Sequence, residues 1–106
     1  MSPRQLLYSP VALRHLDELW NYIAKANAPA AADRYLETVF DYCDGLVDFP
    51  YRGTARDDLR PGLRTISFRR RAVIAFAVTD RAVEILGVFH GGRDFESLVA
   101  EDPDED

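Results

Sequence analysis

A chain of 106 residues with 47% hydrophobic content is long enough for one domain that buries very roughly two-thirds of its unfolded surface, so no disulfide or metal is needed for folding. Its single cysteine excludes an intrachain disulfide, and a formal net charge of -5 argues against a protein that approaches nucleic acid through overall charge. With no stretch long enough for a membrane span or a secretory signal, a soluble, cytoplasmic protein is expected.

Residues 4–8 suggest a short edge strand. Ser9 and Pro10 then read as an N-cap and a first helical position, because the serine oxygen accepts an orphan amide and proline presets φ. The helix runs over residues 9–27, with Leu13, Leu16, Trp20 and Ile23 on one stripe at spacings of three and four. Pro29 disfavours helical geometry in its predecessor but suits a first turn, so it ends one helix and begins another at 29–47. The second helix turns Ala32, Leu36, Val39, Cys43 and Leu46 inward, with Phe40 beside them. Cys43 is therefore a buried structural thiol rather than a reactive one. Two helices joined this tightly form an antiparallel hairpin.

Residues 63–94 read as a three-stranded antiparallel meander, around which the rest is organised. The first strand, 64–68, alternates with period 2, placing Ile66 and Phe68 on one face. Arg69, Arg70 and Arg71 make a polar connection. The second strand, 72–78, puts Ile74, Phe76 and Val78 on one face and Ala75 and Ala77 on the other, so one face packs deeply and the other lightly. After a polar break at 79–82, the third strand covers 83–90, rich in β-branched and aromatic residues. The expected fold is α+β in the order β-α-α-β-β-β, a helical hairpin packed on a mainly antiparallel sheet. A single domain spans 1–98, and a disordered acidic tail spans 99–106.

Charge is segregated along the chain. Between residues 52 and 71 seven arginines face two aspartates, a local net of +5 that contains no lysine; residues 94–106 carry seven acids and no base. Arginine's planar fork pairs carboxylate or phosphate at two points, so an all-arginine block suits a defined acidic partner. The competing reading is local pairing with Asp57, Asp58 and the helix acids, which contributes little at a surface.

The helical hairpin, Phe49-Pro50-Tyr51-Arg52-Gly53, Asp58-Leu59-Arg60-Pro61-Gly62-Leu63-Arg64, Val73-Ile74-Ala75-Phe76 and the closing Ile85-Leu86-Gly87-Val88-Phe89-His90-Gly91-Gly92-Arg93-Asp94 together resemble the ParE branch of the RelE/ParE toxin superfamily. The resemblance extends to about Leu98 and implies a toxin of a type II toxin-antitoxin module. Its implied partners are a cognate ParD-like antitoxin and DNA gyrase, which ParE members inhibit. No cofactor, metal, membrane contact or direct nucleic-acid binding by the protein alone is expected. Within that reading, Arg52, Arg56, Arg60, Arg64 and Arg71, with Arg93 more weakly, are the candidate partner-binding residues, meeting carboxylates of an antitoxin segment.

Two alternatives stay open. RelE members cut mRNA in the ribosome, a reaction that needs a proton acceptor, a proton donor and cations around the phosphate. His90 is placed to be a candidate, with Arg64, Arg71 and Arg93 as phosphate partners, but Gly91 follows it and no tyrosine occurs after Tyr51. The only lysine is Lys25, on the first helix, so lysine-based chemistry on the sheet is excluded. A histidine that ends a strand before Gly-Gly is more simply structural, and a binding mechanism without catalytic residues is the favoured reading. The other alternative is a non-toxic family member that acts only in a repressor complex with its antitoxin.

Overall fold

The computed structural model describes residues 4–69 and 72–90. Arg71, Arg93 and the acidic tail at 99–106 lie outside the described residues. The element order is β1 (Gln5–Tyr8), α1 (Pro10–Ala26), α2 (Pro29–Asp48), β2 (Thr54–Ala55), β3 (Leu63–Phe68), β4 (Ala72–Val78) and β5 (Ala82–His90). The expected α+β order is present with one addition: β2, two residues long, pairs antiparallel to β3 through Thr54 opposite Thr65 and Ala55 opposite Arg64. Such a short strand leaves no alternating pattern to read.

The five strands form one sheet in the order β1-β5-β4-β3-β2. All neighbours are antiparallel except β1 and β5, which run parallel with Gln5 opposite Ala82 and Tyr8 opposite Ile85. The last strand thus returns beside the first: α1 and α2 carry the chain from β1 to the far edge at β2, and the β2–β5 meander brings it back, a long connection of the kind a parallel pair requires. The helices lie on one face. Their buried residues Ala12, Leu16, Leu19, Val39, Cys43 and Leu46 meet Phe68, Ile74, Phe76, Val83, Ile85 and Val88 of the sheet. The light face of β4 closes as well: Ala75 joins Leu63 and Phe89 in a second, small cluster against which Leu59 and Leu86 pack.

Ser9 makes the turn from β1 into α1. Its N–H donates to the Ile85 carbonyl at 2.9 Å, and its Oγ accepts from the Ala12 N–H at 3.0 Å, while the hydroxyl donates to the Leu86 carbonyl at 3.2 Å. One residue therefore caps the helix and pins its start to β5. α2 begins with Pro29 at its first position and has no side-chain cap at Ala28. The helices are tied instead by the Trp20 indole, which donates to Asp33 at 2.8 Å.

The expected stripe of α1 is corrected at Leu13, which is 53% exposed. The buried positions are Ala12, His15, Leu16 and Leu19, so the inner face is turned toward the edge of β5. The physical reason lies in the sheet. β1 ends opposite Ile85, and among the described residues no strand pairs with β5 beyond that point on this side. His15 fills the place of a strand: its Nδ1 accepts the Val88 N–H at 3.2 Å and its ring stands edge-on to Phe89 at 4.9 Å. A buried amide would otherwise go unpaired, which outweighs placing one more leucine inside. Leucine 86 is the extra residue of a β-bulge, since Ala75 faces Gly87 while Phe76 faces Ile85.

Candidate partner-binding site

The loop from α2 to β3 places the arginine block. Gly53 has φ of +74°, and a Cβ there would collide with the Thr65 carbonyl, so glycine alone permits this approach to β3. Beyond β2 the chain turns back on itself: the N–H groups of Leu59 and Arg60 both donate to the Arg56 carbonyl, and the Arg56 N–H donates to Leu63. Asp57 accepts the Gly62 N–H at 2.9 Å, with Gly62 at φ +79°.

Within this frame the candidate arginines divide. Arg56 grips Asp58 with two parallel bonds, Nε to Oδ1 and Nη2 to Oδ2, each 3.0 Å. The hydrogen bond from Arg56 is the chief cause that holds the Asp58 carboxyl below its ordinary range. A partner's carboxylate would have to displace Asp58 to reach this fork. Arg60 is half-buried, its carbonyl taking the Leu63 N–H at 3.1 Å.

Arg52 and Arg64 belong to a different arrangement. The Arg64 Nε donates to the Arg52 carbonyl at 2.9 Å, and the Arg64 guanidinium lies 5.7 Å from the centre of the Tyr51 ring. Arg4, just before β1, lies 5.6 Å from the same ring, donates to the Tyr51 hydroxyl at 3.2 Å and to the Thr79 carbonyl at 2.8 Å. Arg52 stands 5.4 Å from the Phe49 ring centre and 5.9 Å from that of Tyr42. Three guanidiniums and three aromatic rings thus interleave where β1, β3 and the β4–β5 turn converge. Tyr51 is 67% exposed and Phe49 65%. Among the described residues none of these three guanidiniums meets a carboxylate; they are held by π faces, carbonyl oxygens and the Tyr51 hydroxyl, which position the charge without neutralising it.

Arg52 and Arg64 were legible candidates, but Arg4 and Tyr51 were not. The aromatic-arginine interleaving of Phe49-Pro50-Tyr51-Arg52 was a local signal for Tyr51. Nothing local marks Arg4, which is 47 residues from Tyr51 and arrives only through the parallel register of β1 on β5. Arg71 and Arg93 lie outside the described residues.

At the opposite end of the sheet, the His90 ring lies 5.6 Å from that of Tyr22 on α1. Sequence order had suggested no tyrosine near His90, but helix packing supplies one. Among the described residues no group of three His, Cys, Asp or Glu side chains could hold a metal ion, and no helix is long and apolar enough to cross a membrane.

Two helices on one face of a mixed five-stranded sheet, with arginines gathered at one end, make this an α+β domain with a basic end. The fold matches a solved chain from the chromosomal ParDE toxin-antitoxin system of P. aeruginosa with a TM-score of 0.71 and 20% identity, covering 82% of this chain and 95% of that one. The family model for the ParE toxin of the type II toxin-antitoxin system, parDE, matches residues 6–95, and the chain belongs to that family. It is also similar to Toxin ParE1 of Mycobacterium tuberculosis, strains CDC 1551 / Oshkosh and ATCC 25618 / H37Rv, at 29% identity over 96 residues, spanning 91% of this chain and 97% of the relative.

Proposed function

We propose that this ParE-family toxin acts in the cytoplasm by binding DNA gyrase, and that a ParD-like antitoxin neutralises it by laying an acidic segment across the arginine-bearing end of the sheet. The observation that supports the antitoxin contact is the set of guanidiniums on Arg52 and Arg64, presented over exposed aromatic rings with no carboxylate beside them among the described residues. Arginine forks arranged this way take carboxylates in defined geometry, while Phe49 and Tyr51 offer apolar anchorage to the same segment. Arg56 and Arg60 flank this surface in sequence, and Arg71 and Arg93 extend the proposed set. The gyrase reading rests on family membership.

Induced expression in a bacterial host, with and without the antitoxin, tests the proposal. Growth arrest that the antitoxin relieves is the expected result. Normal growth with folded protein accumulating would mark a non-toxic member that works only within a repressor complex. The Tyr22–His90 contact supports a second reading, RelE-like cleavage of mRNA, since it brings a phenol ring and an imidazole ring, side chains of the kind that reaction uses, to 5.6 Å between centres. His90→Ala separates the two: toxicity persists for a gyrase-binding inhibitor and is lost for a nuclease.

A further inference from the structure

We infer that the chain's own acidic C-terminal segment, Glu101-Asp102-Pro103-Asp104-Glu105-Asp106, docks on the surface made by Arg4, Arg52 and Arg64 with Tyr51 and Phe49, and competes there with any external acidic partner. Three observations carry this. The first is the uncompensated charge: among the described residues the three guanidiniums meet rings, carbonyls and the neutral Tyr51 hydroxyl, and no carboxylate. The second is complementarity, because residues 94–106 carry seven acids and no base, the most one-sided stretch of the sequence.

The third observation is reach. This surface sits by the start of β5, where Arg4 precedes Gln5 and Gln5 pairs with Ala82. His90 is at the other end of that strand, about 26 Å away at 3.3 Å per residue. Residues 101–106 are 11 to 16 residues past His90, so an extended chain reaches about 36–58 Å. The acidic residues are therefore the part of the segment that can reach this surface, and a tether of this length supplies an effective concentration of the order of millimolar. Self-occupancy reduces apparent affinity for an outside ligand by the fraction of molecules whose surface is open.

The contact itself does not depend on the toxin reading; its consequence, competition with an antitoxin segment, does. A nitroxide on Ala100→Cys in the full chain tests the contact, since Cys43 is fully buried and leaves residue 100 as the labelling site. In low salt, the amide signals of Arg4, Tyr51, Arg52 and Arg64 should broaden while those of the exposed helix residues Arg14 and Arg34 stay sharp. The broadening should disappear at about 0.5 M salt, where exposed charges are screened within a few ångströms. Absent broadening, or broadening equal at Arg14 and Arg34, overturns the inference.

A second readout measures competition with a labelled synthetic peptide of residues 100–106. Converting the five acids of residues 101–106 to their amides in the full chain should tighten peptide binding at least about threefold. That gain should be lost with Arg52→Gln plus Arg64→Gln and kept with Arg14→Gln plus Arg34→Gln. Equal affinity of the native and amidated chains, or a gain that survives loss of Arg52 and Arg64, contradicts self-occupancy. Either result leaves the growth-arrest test of the toxin reading unaffected.

Discussion

The Cys43 thiol, enclosed in the helix-sheet core and hydrogen-bonded with Tyr8, is pushed up to about 11, chiefly by burial, and burial likewise raises the Tyr8 phenol. In an unfolded chain the thiol ionises near 9.0, so its contribution to stability is complete below that value and is lost as pH rises toward 11. Denaturant titration should therefore show stability falling by about 2–3 kcal/mol between these limits, with Tyr8 acting in the same direction. At neutral pH the thiol should resist alkylation until the protein unfolds. A second residue-scale prediction concerns Gly87. A Cβ there would lie 2.8 Å from two carbons of the Phe89 ring and 3.2 Å from the His15 Nδ1. Gly87→Ala should cost about 1–3 kcal/mol, because the ring and the imidazole that accepts the Val88 N–H cannot both stay in place. A thermal midpoint equal to the parent's would contradict that packing.

Among the elements, Ser9 joins β1, α1 and β5 through one side chain and one amide. Ser9→Ala should lose about 1–2 kcal/mol in chemical denaturation, more than a surface cap, since the Leu86 carbonyl also loses its donor. Ser9 and Pro10 were legible because capping chemistry is local, and so were Ile74, Phe76, Val39 and Cys43, whose burial follows from strand and helix period. Leu13 was misread for a reason that no periodicity contains. α1 covers a strand edge, and the edge's need for an acceptor at Val88 selects His15 for the interior. β2 was illegible because two residues held by Gly53 and the β3 ladder have no pattern of their own. The candidate site shows the same division: Arg52 and Arg64 stood out in a dense block, whereas Arg4 joins them only after β1 has paired with β5.

At the scale of the whole molecule, a chain of net charge -5 presents Arg4, Arg52 and Arg64, which meet no carboxylate among the described residues, at one end of its sheet. Charge placement, rather than total charge, then decides what binds. Arg52→Glu with Arg64→Glu should weaken antitoxin binding at least about tenfold, roughly 1.4 kcal/mol, by calorimetry. Unchanged affinity would remove this face from the interface. The gyrase claim stands apart from that contact and is tested most directly by supercoiling of relaxed plasmid by purified gyrase in the presence of the antitoxin-free protein. The expected result is inhibition with accumulation of linear, cleaved DNA, both relieved by the cognate antitoxin; full supercoiling activity in the presence of demonstrably folded protein would contradict gyrase as the target.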